Sequence, residues 1–90
     1  MHAVLLKSTV HDVEQGRTFL REQGIPRLRQ APGFVTGHWV KFANNSGTSM
    51  LIFESEEAAQ AAAELLRMNP PPASAVTINN IEVGEVVEQA

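Results

Sequence analysis

Residues 32–57 constrain the fold of this chain more than any other stretch. Pro32-Gly33 is a turn signal, and Phe34 to Ala43 is a run of strand-forming residues. Asn44-Asn45-Ser46-Gly47 then reads as a loop, because Asn, Ser and Gly tolerate the tight and left-handed conformations of a chain reversal. A second run, Thr48 to Phe53, completes an antiparallel hairpin. Ser55 has the chemistry of a helix N-cap, and Glu56 and Glu57 fall in the first turn, where the helix dipole favours negative charge. One hairpin therefore runs directly into one helix.

The loop position sets the expected pairing. With residues 44–47 as the loop, Lys41 faces Met50, Trp39 faces Ile52 and His38 faces Phe53. Side chains alternate between the two faces of a strand. One face then carries Thr36, His38, Val40, Phe42, Leu51 and Phe53, and the other Val35, Gly37, Trp39, Lys41, Met50 and Ile52. Neither set is cleanly polar, so both faces are expected to be covered.

The remaining segments fit around this hairpin. His2 to Thr9 reads as a strand, and its consecutive Val4-Leu5-Leu6 suggests cover on both faces. Asp12 to about Gln23 reads as a helix, capped by Thr9, His11 or Asp12. Its stripe is Val13, Gly16, Arg17, Leu20 and Gln23 or Gly24, with Phe19 beside it. Gly24-Ile25-Pro26 breaks that helix, with Gly24 as a C-cap and Pro26 in the first turn of a short second helix ending at Gln30. Glu56 to Met68 is a long helix with five alanines, Ala58, Ala59, Ala61, Ala62 and Ala63. Alanine is the best helix former and permits close approach to a sheet. The helix's apolar stripe reads as Ala58 or Ala59, Ala62, Leu65 and Leu66, and Pro70-Pro71-Pro72 ends it. Val76 to Ile78 and Ile81 to Val87 form a last strand region, with Asn79-Asn80 as a bulge or a bend.

The order strand, helix, strand, strand, helix, strand is the split β-α-β arrangement of the ferredoxin-like fold, an α+β class with an antiparallel sheet and helices on one face. Ninety residues make one such domain, spanning 1–90. Large apolar residues also fall on the face away from the helices. An uncovered face of that kind would be an exposed apolar patch, and the economical cover is a second copy of the chain in a two-fold homodimer.

Composition excludes several classes of function. The net charge is -3 with acids and bases interspersed, so no basic stripe advertises nucleic acid. No apolar run approaches the roughly 20 residues that span a bilayer, and membrane association is not expected. The first residues carry no basic region before their apolar segment, so no signal peptide is expected and the default compartment is the cytoplasm. With no cysteine, disulfides, thiolate chemistry and cysteine-held metal clusters are excluded. The histidines at 2, 11 and 38 do not form a metal-ligand spacing, so no metal site is expected. No serine sits in a nucleophile elbow, and no glycine-rich phosphate loop opens a helix.

Pro32-Gly33-Phe34 before a strand, a strand ending in Phe53-Glu54, and then Ser55-Glu56-Glu57-Ala58-Ala59 resemble the antibiotic-biosynthesis-monooxygenase-like group of the dimeric α/β barrel superfamily. The likeness spans nearly the whole chain in element order, through short motifs. It implies a protomer that pairs through its sheet. It also implies, as the leading expectation, a cofactor-independent monooxygenase acting on a small aromatic or quinol-like compound. The superfamily also contains haem-degrading enzymes, isomerases and members without known activity. Haem-degrading members use a His on the second long helix and an Asn in the first strand; Glu56 to Met68 holds no His and His2 to Thr9 no Asn, so that activity is disfavoured. Monooxygenase members often carry a Trp near the end of the third strand, where this chain has Phe53, and the chain has no Tyr.

Among individual residues His38 is the candidate catalytic group, since a neutral imidazole could accept a proton from a bound phenol or enol. The ordinary alternative is a hydrogen-bonded His in a dimer core or at a strand end. Phe53, Val40 and Leu51 share its expected face and are candidates for the ligand-binding wall. Trp39 could stack on a flat ligand, or be simple core. Because Trp39 points away from His38, the expected site pairs His38 with Phe53. His11 could line a pocket mouth, or be a solvated residue at a helix start. Arg27 and Arg29 read as a solvated face or as an anion clamp at a pocket mouth. No cofactor is implied. Whether the chain is an enzyme stays open: the alternative function is a non-catalytic dimeric ligand-binding or accessory protein.

Overall fold

The computed structural model describes residues 1–90. The strands are β1 (His2–Val10), β2 (Phe34–Lys41), β3 (Ser46–Phe53) and β4 (Val76–Glu85), and the helices are α1 (Val13–Phe19), α2 (Ile25–Gln30) and α3 (Glu56–Met68). The sheet order is β2-β3-β1-β4 and every pair is antiparallel. This is the α+β, ferredoxin-like arrangement that the element order implies.

The hairpin turns earlier than its sequence suggests. Asn45 adopts a left-handed conformation with φ 65°, its N–H donates to the Phe42 carbonyl at 3.1 Å, and the Phe42 N–H donates to the Ser46 carbonyl at 2.8 Å. The Asn44 side chain accepts from the Ser46 N–H and hydroxyl. Ala43, Asn44 and Asn45 thus make the turn, a three-residue loop with its left-handed residue last. Lys41 consequently pairs with Gly47, Trp39 with Ser49 and His38 with Met50. This register corrects the expected pairing by three residues. Because the slip is odd, it exchanges the faces of one strand relative to the other: Leu51 and Phe53 join Trp39, not His38. A bulge between Phe34 and Thr36 then sets Phe34 opposite Phe53, where the rings meet edge to face at 5.6 Å.

The Pro-Gly turn and the start of α3 are locked together. Gly33 has φ 75°, and its carbonyl accepts from the Glu54 N–H at 2.8 Å. A Cβ on Gly33 would lie 3.0 Å from that of Ala58, so a side chain is excluded by conformation and by space. Ser55 caps α3, its hydroxyl accepting from the Ala58 N–H at 3.1 Å. The short motifs at Pro32-Gly33-Phe34 and at Phe53 to Ala59 are therefore two sides of one contact.

The core lies between the sheet and α3. Val4, Leu6, Leu51 and Phe53 are buried against Ala59, Ala62 and Ala63, with Leu28 of α2 completing the cluster. Ala63 takes the buried place expected for Leu65, which is exposed: the stripe at 59, 62, 63 and 66 is one residue rotated from the expected one. The short alanine side chains let α3 sit close over β1 and β3.

The first helical region differs from expectation in its continuity. Asp12 caps α1 by accepting from the Gln15 N–H. Gly24 does not end the helix; it remains right-handed helical at φ -63°, and a π turn over Leu20–Gly24 carries the chain into α2. Pro26 has no N–H and its ring crowds the preceding turn's carbonyl. The wider turn, in which the Ile25 N–H donates to the Leu20 carbonyl, absorbs the misfit without a break. At the other end, β4 is one continuous strand to Glu85 with its register shift at Asn79. The Asn79 amide donates to the Thr9 hydroxyl at 3.0 Å.

Candidate ligand cavity

The register divides the sheet residues cleanly. Trp39, Ser49, Leu6 and Ile81 form one cross-strand row, and Gly37, Leu51, Val4 and Val83 another; both point at the helices. His38, Met50, Leu5 and Glu82 form a row on the opposite, open face. Met50 and Val40 are 45% and 49% exposed. With Leu5, they make the open face an apolar patch without cover from this chain.

A cavity of about 820 Å³ lies between the sheet and the helices. Its cause is legible in side-chain size. From α1 and the π turn, Val13, Gly16, Arg17, Leu20 and Gly24 face it, the same stripe that the helical period picks out. Across from them the sheet offers Ser8, Gly47 and Ser49. Small residues on both walls leave space, and α1 buries none of its residues. Fifteen of the 25 lining residues are hydrophobic, so the enclosure suits an apolar ligand.

Trp39 borders the cavity, half-buried against the core. Its ring lies along the strand over Gly37: a Cβ there would meet Trp39 Cη2 at 2.9 Å and Leu51 Cδ2 at 3.0 Å. Glycine two residues before the tryptophan is what lets the indole lie flat. The polar groups on the walls are the hydroxyls of Ser8 and Ser49, the amide of Asn69 and the cations of Arg17, Arg27 and Lys41.

The residues singled out in the sequence fall into two groups. Trp39, Leu51 and Val40 border the cavity, Val40 from a strand position whose pair, Thr48, belongs to the open face. His38 is exposed on the open face opposite Met50. Phe53 is fully buried in the core with Phe34, on the other side of the sheet from His38. His11 hydrogen-bonds the Thr77 hydroxyl at 2.8 Å and is not part of the cavity wall. Arg27 lines the cavity and Arg29 does not. Sequence reasoning did not find Ser8, Ser49 and Gly47; the signal was the coincidence of small residues on one face of two neighbouring strands and on the facing helix. No three His, Asp or Glu side chains converge as metal ligands. No helix is long and apolar enough to cross a membrane.

No protein-family model matches the sequence, and a comparison with curated proteins finds no match. Solved structures do match. SnoaB from Streptomyces nogalater, a cofactor-independent oxygenase, superposes with a TM-score of 0.73 at 17% identity, over 98% of this chain and 94% of that one. HapK from Hahella chejuensis superposes at 0.68 and 13% identity, over 100% and 96%. A dimeric ferredoxin-like protein from an uncultured marine organism superposes at 0.62 and 17% identity, over 100% and 98%. The end-to-end cover makes this a likeness of whole domains: the chain has the ferredoxin-like α+β fold shared by these proteins, as its resemblance to the antibiotic-biosynthesis-monooxygenase-like group implies.

Proposed function

We propose that this protein binds a small, flat, largely apolar compound in the cavity between sheet and helices, and oxidises it with dioxygen without a cofactor. The observation that carries this reading is the apolar cavity of about 820 Å³ bordered by Trp39, in a fold shared with a cofactor-independent oxygenase. In such a reaction an electron-rich ring of the substrate supplies the electrons. One oxygen atom enters the ring and the other leaves as water. The protein's part is to exclude solvent, stack the ring on Trp39 and offer Ser8, Ser49 and Asn69 as hydrogen-bond partners to its oxygens.

A second reading, ligand binding without catalysis, is favoured by one specific feature. The cavity wall contains no His, Asp, Glu or Tyr, so no ordinary general base faces the ligand. His38, the proton acceptor expected from the sequence, could serve only a ligand bound between two sheets. The open face is the surface through which we propose that two copies pair, burying Met50, Val40 and Leu5.

Oxygen consumption with polycyclic quinols, alongside thermal shift with the same compounds, separates the readings. Uptake that fails in Trp39→Ala and survives in His38→Ala supports oxidation in the cavity. A thermal shift without uptake supports binding alone. Uptake lost in His38→Ala with Trp39→Ala unaffected moves the chemistry to the space between sheets.

A further inference from the structure

The charge on the cavity wall is one-sided. The chain carries ten acidic and seven basic residues. Three of the seven bases, Arg17, Arg27 and Lys41, line the cavity, and none of the ten acids does. They come from three separate elements, α1, α2 and β2, and all three residues are exposed, so they stand where the cavity meets solvent. Arg17 already holds Glu14 at 3.1 Å. Arg27 and Lys41 have no carboxylate partner: Arg27 donates to the Gln23 side-chain oxygen, and Lys41 to the Phe42 carbonyl, each at 3.3 Å. Both contacts are neutral acceptors that an anionic group would replace with stronger, charge-assisted bonds.

We infer that the cavity selects an aromatic compound bearing a carboxylate, with the rings against Trp39 and the carboxylate at Arg27 and Lys41. This rests on the reading of the cavity as a ligand site and adds the class of ligand. An apolar interior with cations only at its rim orients such a compound one way: reversing it would bury the charge among Leu6, Leu51 and Leu66. The same rim repels cationic ring compounds of equal size.

The test uses anthracene-2-carboxylate and its neutral carboxamide as probes, followed by quenching of Trp39, the chain's only tryptophan. The carboxylate is expected to bind roughly tenfold more tightly than the amide, as hydrogen bonds to charged groups exceed neutral ones. Arg27→Gln combined with Lys41→Gln is expected to abolish that preference, the acid losing roughly tenfold more affinity than the amide. Added salt is expected to weaken the acid alone. Equal binding of acid and amide, or equal loss of both in the double variant, overturns the inference while leaving the cavity as a ligand site. Binding of neither probe removes the ligand-site reading itself. A thermal melt of the double variant separates misfolding from lost recognition; if its midpoint falls, the single variants Arg27→Gln and Lys41→Gln carry the same comparison.

Discussion

Replacing Gly37 with alanine tests how the tryptophan is seated. Three effects compete. Alanine restricts the unfolded chain and favours the strand, which stabilises by about 0.5–1 kcal/mol. Against this, the new Cβ would stand 2.9 Å from Trp39 Cη2, 3.2 Å from its Cζ3 and 3.0 Å from Leu51 Cδ2. Overpacking of a well-filled site costs about 1–3 kcal/mol. Leu51 is 1% exposed, but it and the indole both border the cavity and can give way toward it, so the clash costs near the middle of that range. The net expectation is a loss of about 1 kcal/mol, or roughly 4–8 °C in melting midpoint for a domain of this size. Urea unfolding of Gly37→Ala, Trp39→Leu and the double variant measures it, with the denaturant slope checked for constancy. With the indole absent only the Leu51 contact remains, so the penalty is expected to fall by half or more. Tryptophan emission of Gly37→Ala is also expected to shift as the ring moves. An equal penalty in both backgrounds, or net stabilisation by Gly37→Ala, would refute the placement of the indole over Gly37.

Other perturbations probe other parts of the fold. Phe53→Ala removes a fully buried ring that meets Phe34 edge to face; a loss of about 3–5 kcal/mol by denaturation is expected. Gly33→Ala forces φ 75° on a residue with a side chain and sets its Cβ 3.0 Å from that of Ala58. About 2 kcal/mol should be lost by urea titration. At the hairpin turn, where φ is 65° at Asn45, Asn45→Gly should leave the melting midpoint within a few degrees, while Asn45→Val should lower stability by about 1–2 kcal/mol. On the open face, Met50→Glu, at a residue that is 45% exposed and outside the cavity wall, is expected to shift sedimentation from dimer to monomer while leaving binding to the cavity in place; an unchanged mass would place any dimer contact elsewhere.

Element order and identity were set by local chemistry. Asp12 and Ser55 cap their helices with side-chain oxygens, the prolines after Asn69 end α3 and the 3.6-residue period marks the α1 stripe that faces the cavity. Each depends on residues within a turn or two of one another, so the sequence alone carries it. The α+β order follows, and with it an apolar open face. The pairing of β2 with β3 did not follow, because either Asn45 or Gly47 could supply the left-handed residue, and the choice shifts the register by an odd number and changes which face His38 shares. That choice is made by tertiary packing: Leu51 and Phe53 must meet α3 on the face of the sheet that Phe34 and Trp39 also fill. The cavity was likewise a tertiary outcome. Gly16, Gly24, Ser8, Gly47 and Ser49 are unremarkable small residues along the chain. They become an enclosure only when a helix and two strands set them face to face, because an empty volume is a property of opposed walls and no single segment holds it.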